Sequence, residues 1–239
     1  MRQVPEYCVV GRGRLATHLT HYMTLLGLSY VSWHRGQSHE QFQIHCKQVA
    51  YVFLCIPDDA IEDFIRAQEE RALASVTWVH FSGALQTDLA YGVHPLMTFG
   101  TELYPLSDYQ VIPFVCTDDV PGELLSIWPN PCYSILAEKK ALYHAWCVLA
   151  GNGSAMLWQR FMAFMQQELG LPEQVVIPFA RQSMANVLAS GEEALTGPMI
   201  RGDHQTLAGH EQALAQRSEL PLYQAFYQWF LQGENGENS

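Results

Sequence analysis

The feature that most constrains the fold is a glycine-rich turn between a short apolar run and an amphipathic helix. The apolar run Tyr7–Val10 leads directly into the sequence GRGRLA, a G-x-G-x-x-A pattern. Apolar residues then recur three and four positions apart from Leu15 to Leu26, which predicts a helix packed on a sheet. A strand, a glycine turn and a helix in this order are typical of the first unit of a dinucleotide-binding fold.

Each small residue of the pattern has a physical role in such a unit. The first glycine permits a tight turn, the second lets the backbone approach a pyrophosphate, and the third small residue lets helix and strand pack closely. The pyrophosphate lies on free N–H groups at the helix N-terminus. A purely structural turn is the alternative. We therefore predict a cofactor-binding segment that consists of Gly11, Arg12, Gly13, Arg14, Leu15 and Ala16.

Further apolar runs alternate with helical patterns through the first half of the chain. The predicted later strands are Leu28–Trp33, Val49–Ile56, Val76–Phe81 and Val111–Cys116. Strands separated in this way by helices pair in parallel through crossover connections. After Pro57, Asp58 and Asp59 are expected to N-cap a helix that ends near Arg71.

Ligands of such sheets bind at the carboxyl ends of the strands. Two predicted strands end in residues that we therefore assign to the cofactor. These are Ile56 and Pro57 after one strand, and Ser82 and Gly83 after another.

The end of the second predicted strand bears on the choice between NAD and NADP. NAD-binding domains usually place Asp or Glu about 20 residues beyond the glycines, where it binds the ribose hydroxyls. This chain instead has His34 and Arg35, with no acidic residue before Glu40. A basic pair suits a 2′-phosphate, whereas a solvated surface arginine is the alternative. The pattern favours NADP over NAD.

After about residue 118 the strand signals disappear. A long helical pattern over 136–169 is interrupted by Gly151 and Gly153, which predicts a kink or a close contact with another helix. Further helices are predicted over Val175–Leu188, Gln205–Ala215 and Pro221–Leu231. We therefore expect an α/β fold with a Rossmann domain built on a parallel sheet over 1–118 and an all-α domain over 119–239.

Hydride transfer also needs a proton donor near the reacting group. Lysine is scarce, but Lys140 and His144 are four residues apart and share one helix face. His94 precedes a proline, which holds it in an extended conformation. We predict that Lys140 exchanges the proton while His144 and His94 orient the reacting group. A solvated lysine pair, Lys139 and Lys140, and a structural histidine are the alternatives.

Two further residues are assigned to the substrate. Asn152 lies twelve residues beyond Lys140, about 120° from its face on an ideal helix, so it joins the site only if the helix is distorted at its glycines. Arg201 precedes a predicted N-cap, Asp203, and could clamp a carboxylate or phosphate. An ion pair that fixes the loop is the alternative for Arg201.

Composition narrows the range of partners. The chain has 13 basic and 24 acidic residues, a net charge of −11, which is the wrong sign for general contact with nucleic acid. No stretch approaches the ~18–20 apolar residues of a membrane span, and no signal peptide is evident. The six cysteines have neither disulfide nor metal-site spacing. We therefore expect reduced thiols, no metal site, no membrane or nucleic-acid partner, and a cytoplasmic location.

Several motifs, taken in order, resemble those of one known group. The segments VVGRGRLATHL, FLCIPDDAI, HFSGAL, GVHPLMTF, KKALYHAWCVLAGN and ALTGPMIRGDHQTLAGH are similar to a largely uncharacterised bacterial family of Rossmann-like NADP-dependent oxidoreductases. The C-terminal halves in that family are helical, of the 6-phosphogluconate-dehydrogenase type. The broader relatives include ketopantoate reductase, pyrroline-5-carboxylate reductase, hydroxyacid dehydrogenases and prephenate dehydrogenase.

The resemblance implies that Gly11, Gly13 and Ala16 bind the cofactor, that the substrate lies between the domains, and that the helical half forms a homodimer. His94-Pro95 is similar to the His-Pro motif of prephenate dehydrogenases, whose histidine contacts the reacting hydroxyl. Hydroxyacid dehydrogenases carry Lys-x-x-x-Asn where this chain has Lys140-x-x-x-His144. This departure leaves the proton donor and the substrate open.

The function expected from the motifs and the resemblance is an NADP-dependent oxidoreductase. It would transfer a hydride between nicotinamide and a small polar carbonyl, hydroxy or imine substrate. The alternative is a non-catalytic dinucleotide-binding sensor or interaction protein on the same fold.

Overall fold

A computed structural model describes residues 6–69 and 76–236. Its seven-stranded sheet has the order β2-β1-β3-β4-β5-β6-β7. The strands are β1 Tyr7–Val10, β2 Tyr30–Trp33, β3 Tyr51–Leu54, β4 Thr77–His80, β5 Tyr91–Pro95, β6 Phe114–Cys116 and β7 Cys132–Ser134. The helices are α1 Arg14–Leu25, α2 His39–Cys46, α3 Ile61–Glu69, α4 Leu106–Gln110, α5 Gly122–Leu125, α6 Lys140–Cys147, α7 Ser154–Gln167, α8 Val176–Ser190, α9 His204–Leu214 and α10 Leu220–Gly236.

Strand β1 lies at the point where the chain reverses its progress across the sheet. It pairs in parallel with β2 on one side and with β3 on the other, and β4 and β5 continue the parallel order. In open α/β sheets, ligands bind beyond the carboxyl ends of the strands at such a reversal. The predicted α/β fold is confirmed, with a Rossmann-like strand order followed by a helical part.

The sheet differs from the prediction at the edge that β6 and β7 form. Strand β6 runs antiparallel to β5, and β7, which lies beyond residue 118, pairs in parallel with β6. The expectation that no strand follows residue 118 is therefore wrong, and β5 was not among the predicted strands. Strand β7 has only three residues, too few to show the alternation on which a strand prediction rests.

Along each central strand, successive side chains point to opposite faces of the sheet. One face packs on α1 with the side chains Val9, Phe53, Val79 and Val93. The opposite face packs on α2 and α3 with Cys8, Val10, Val52, Leu54 and Trp78. Burial on both faces stabilises the sheet, because each fully buried large apolar side chain contributes roughly 1.5–3 kcal/mol.

The chain divides into two compact units, Met1–Ala155 and Met156–Ser239. In the second unit, α8, α9 and α10 coincide with the three predicted helices to within a few residues at most of their ends. Asp203 is the N-cap of α9, as predicted, since its carboxylate accepts a hydrogen bond of 3.1 Å from the Thr206 N–H. The predicted end of the helix after Pro57, near Arg71, lies outside the described residues.

Two further observations concern the chain as a whole. All six cysteines are free thiols, as expected from their spacing. Among the described residues, no helix has the length and apolar character needed to cross a membrane.

Candidate functional site

The turn after β1 accepts only glycine at its first position. Gly11 has a φ of +129°, and a Cβ atom there would lie 2.3 Å from the carbonyl oxygen of Cys55. The Gly11 N–H donates a hydrogen bond of 2.9 Å to the Trp33 carbonyl. The turn therefore joins the carboxyl ends of β1, β2 and β3, where a dinucleotide binds in folds of this class.

The start of α1 is open to a ligand. No described side chain caps it, and a Cβ atom on Gly13 would meet nothing within 4 Å. The Thr17 N–H donates the first helical hydrogen bond, to the Gly13 carbonyl, so the amides of residues 14–16 have no partner within the helix. Arg12 and Arg14 are exposed beside them, and Ala16 is buried. This arrangement of free amides suits an anion such as a pyrophosphate.

His34 and Arg35 directly follow the strand end to which Gly11 is bonded. The Nδ1 atom of His34 accepts a hydrogen bond of 3.1 Å from the Gly36 N–H, so the ring folds back over its own turn. Arg35 is exposed. Arg35, like Arg12 and Arg14, is therefore an exposed cation next to the strand ends that the glycine turn joins.

The ends of β3 and β4 are joined by a hydrogen bond between side chains. The Ser82 hydroxyl donates to Asp58 Oδ2 at 2.5 Å and accepts from the Leu85 N–H at 2.9 Å. Asp58 is therefore not the helix N-cap that we predicted. Pro57 occupies the N-cap position, because a 3-10 turn, Asp58–Ala60, precedes α3. Ile56, which is partly buried, and Pro57, which is exposed, lie at this strand end.

Lys140 is buried beneath the strand ends rather than solvated. It is 3% exposed, and its Nζ donates a hydrogen bond of 2.6 Å to the Leu85 carbonyl. A Cβ atom on Gly92 would lie 2.4 Å from that Nζ and 2.9 Å from Cε1 of His80. Burial lowers the pKa of Lys140, and the Asp119 and Asp58 carboxylates oppose this shift. The alternative of a solvated lysine is wrong for Lys140, although Lys139 is exposed.

His94 and His144 meet over Gly83. Their rings are 5.6 Å apart at 82°, and a Cβ atom on Gly83 would lie 2.3 Å from His144 Cδ2 and 3.0 Å from His94 Nε2. Burial lowers the pKa of His94 to about 4, and the charges of His144 and Lys140 add to the effect. The structure therefore brings together His94, His144 and Gly83, three of the predicted residues, at the ends of β4 and β5.

Tyr143 belongs to this site, and the sequence analysis missed it. Its hydroxyl lies 2.8 Å from Nδ1 of His94. Burial and a hydrogen bond with Cys147 raise the pKa of Tyr143, so the phenol stays protonated. The signal in the sequence was helical spacing, since Tyr143 is three residues from Lys140 and shares its face of α6.

The predicted distortion at the two glycines is present as a π-helix, Val148–Gly153. One added residue per turn rotates the following side chains by about 100° relative to an α-helix. Asn152 is exposed within this segment, and its assignment to the substrate stays a prediction.

Arg201 belongs to the second compact unit, whereas the residues described above belong to the first. It is exposed, and its N–H donates to the Gly197 carbonyl. Hydrogen bonds from Thr206 lower the pKa of Asp203, and the charge of Arg201 adds to this effect. Within 6–69 and 76–236, no group of three or more metal-binding side chains occurs.

The glycine turn and the strand reversal at β1 define a Rossmann-like fold. Residues 119–229 match a family model described as Domain of unknown function (DUF2520). A search of curated proteins gave no match.

Solved structures similar to this chain include a protein from Bacteroides fragilis, provisionally described as an NADP oxidoreductase. It has 18% identity and a TM-score of 0.75, over 95% of this chain and 97% of that one. Protein TM1727 from Thermotoga maritima has 21% identity and a TM-score of 0.69, over 98% and 100%. A reductive aminase from Aspergillus terreus, in complex with NADPH and ethyl levulinate, has 12% identity and a TM-score of 0.62, over 98% and 95%.

Similarity at these identities shows the fold. The resemblance to an uncharacterised Rossmann-like family is confirmed by these structures together with the match of the C-terminal half.

Proposed function

We propose that this protein is an NADP-dependent oxidoreductase that acts on a small polar substrate. The observation that carries the proposal is the pairing of His94 and His144 over Gly83, on the same sheet edge as the open glycine turn. Similar folds include proteins described as NADP oxidoreductases or solved with NADPH. Groups that can bind a dinucleotide and groups that can transfer a proton are thus part of one compact unit.

The cofactor would lie along the carboxyl ends of the strands. The amides at the start of α1 would bind the pyrophosphate, Arg35 the 2′-phosphate, and the loops at Ile56 and at Gly83 the nicotinamide half. The reduced nicotinamide supplies a hydride. The open space over Gly13 and the unpartnered amides of residues 14–16 fit this assignment.

The catalytic candidates occupy different positions at the strand ends, and we assign their roles accordingly. His144 lies against Gly83 at the strand ends, whereas the Lys140 Nζ lies over Gly92 and is bonded to Leu85. We therefore assign proton exchange to His144 and a supporting electrostatic role to Lys140, which we first proposed as the proton donor. His94 would bind the reacting group, and Asn152 would contact the substrate; the assignment of Arg201 to the substrate stays a prediction from the sequence.

The first experiment is titration of the protein with NADPH and NADH, followed by nicotinamide fluorescence. We expect saturable binding with NADPH preferred. Arg35→Ala should weaken NADPH binding by roughly tenfold or more, because a hydrogen bond to a charged group contributes about 1.5–3 kcal/mol, and should leave NADH binding unchanged. Arg66→Ala is the matched control, since that exposed arginine pairs only with Glu62 among the described residues. Binding of neither dinucleotide would refute the proposal.

A second experiment separates catalysis from binding. His144→Asn should retain NADPH affinity and lose turnover, and Lys140→Met should reduce turnover less. NADPH binding without turnover of any carbonyl or imine compound would instead favour the non-catalytic sensor.

We also propose that the helical half forms a homodimer. Of the described residues from 156 to 236, only Val176 and Leu207 are buried, whereas Leu188 is 79% exposed and Phe179 is 59% exposed. A soluble monomer rarely exposes an apolar surface of this extent, and a second copy would cover it. Sedimentation should therefore give a dimer, which Leu188→Glu should dissociate and Gln182→Glu should not. A monomeric wild-type protein would contradict this proposal.

A further inference from the structure

The hydrogen bond between His94 and Tyr143 determines which ring nitrogen of His94 carries the proton. The Tyr143 oxygen lies 2.8 Å from Nδ1 of His94 and also interacts with Cys147. An imidazole nitrogen is a strong acceptor, whereas a thiol sulfur is a weak acceptor and its S–H a weak donor. The favoured arrangement therefore has the Tyr143 O–H donating to Nδ1 of His94 rather than to Cys147.

An imidazole that accepts at Nδ1 carries its proton at Nε2 when the ring is neutral. The Nε2 atom lies on the side of Gly83, where a Cβ atom would be 3.0 Å from it, and His94 and His144 are both partly exposed. Two features keep the ring neutral, namely its partial burial and its position beside His144 and Lys140. His94 therefore presents an uncharged N–H donor to a ligand that binds beside the histidine pair.

We propose that Tyr143 is a positioning residue that fixes His94 as an Nε2–H donor, so that the site takes a substrate whose reacting atom is an acceptor oxygen. A ketone or aldehyde fits this donor. A protonated imine does not fit, because its nitrogen carries a hydrogen that requires an acceptor. This inference rests on the proposed oxidoreductase function and narrows its substrate class.

Reduction of a carbonyl compound can be written with His94, His144 and the reduced dinucleotide. A bound reduced dinucleotide would supply the hydride for the new C–H bond at the carbonyl carbon as its own nicotinamide C–H bond breaks, and the π-electron pair of the C=O bond would move to the oxygen. The Nε2–H of His94 stabilises the negative charge that develops there. A proton from the His144 imidazolium then forms the O–H bond, which leaves an alcohol, a neutral imidazole and the oxidised dinucleotide.

The test of the tautomer needs neither cofactor nor substrate. Long-range proton–nitrogen NMR spectra of the full-length protein at neutral pH report which ring nitrogen of each histidine is protonated. The signals of His94 are identified as those that disappear in His94→Gln. We expect protonation at Nε2 in the wild type and a mixture of tautomers in Tyr143→Phe. Tyr133→Phe is the matched control, because Tyr133 is 60% exposed on β7. Protonation at Nδ1 in the wild type would overturn the proposal.

The substrate class is tested with matched pairs of compounds. The protein saturated with NADP+ is titrated with C2 to C8 ketones, aldehydes and 2-oxo acids, each beside a cyclic imine of equal carbon number, while the His94 signals are followed. We expect the carbonyl compounds to perturb Nε2–H, and Tyr143→Phe to lower kcat for them about tenfold with NADPH affinity unchanged. Perturbation by imines alone, or by no carbonyl compound, would overturn the inference, whereas absent NADPH binding would instead refute the proposed function.

Discussion

Acid should destabilise this protein through two histidines, the buried His80 and the partly buried His94. Burial lowers the pKa of His80 from 6.5 to about 4, and the charge of Lys140 adds to this effect while Asp58 opposes it. The pKa of His94 is lowered from 6.5 to about 4, also mainly by burial. His80 is 1% exposed, and its Nδ1 accepts a hydrogen bond of 3.2 Å from the Ser82 N–H.

The sign follows from proton binding in the two states. Below about pH 6.5 the unfolded chain binds a proton on each imidazole, whereas the folded protein binds it only below about pH 4. The free energy of unfolding therefore falls as the pH drops through this window. A shift of this size corresponds to about 3 kcal/mol for each histidine, which is a large fraction of the ~5–15 kcal/mol that stabilises a typical domain.

The assay is urea unfolding at half-unit steps from pH 4 to pH 8, with the wild type beside His80→Asn and His94→Asn. Asparagine keeps an acceptor close to the position of Nδ1 and does not titrate. Between the folded-state and the unfolded-state pKa of the histidine, the free energy of unfolding should fall less steeply with decreasing pH in each variant than in the wild type. The difference in slope should be about 1.4 kcal/mol per pH unit. Gln41→Asn, an exposed change in α2 that involves no titratable group, should keep the full wild-type slope. If His80→Asn keeps the full wild-type slope, His80 is not held neutral in the folded protein and the argument fails.

Three further predictions test single positions. Gly11→Ala should lower the free energy of unfolding by roughly 2–4 kcal/mol, because its Cβ would overlap the Cys55 carbonyl; an unchanged thermal midpoint would exclude that contact. Asn130→Ala should lower the free energy of unfolding by about 3 kcal/mol, since the Asn130 amide donates hydrogen bonds to two main-chain carbonyls at 2.7 and 2.8 Å. Asn130→Asp should lower it by about as much, because the aspartate has no amide donor. A loss of less than about 1 kcal/mol in both variants would contradict this prediction. Asp203→Ala should lower the urea midpoint of unfolding through the lost α9 cap, and Asp203→Asn should restore most of it; an unchanged midpoint in Asp203→Ala would contradict this.

The sequence alone determined the parts of the fold that depend on neighbouring residues. The turn at Gly11, the amphipathic α1 and the helices of the second half all follow from spacings within about twenty residues, and the structure confirms them. The distortion at Gly151 and Gly153 was also predictable, because glycine weakens a helix locally. The assignments of ligands to these residues remain predictions.

Only the tertiary structure decided what surrounds each candidate side chain. Lys140 lies beneath the strand ends because its Nζ bonds a carbonyl 55 residues away, and Asp58 bonds a serine 24 residues away instead of capping a helix. The partner of His94, Tyr143, is 49 residues distant. Burial and hydrogen bonding between remote segments set these roles, and no local pattern carries that information, because it arises only when the sheet brings its strand ends to one edge.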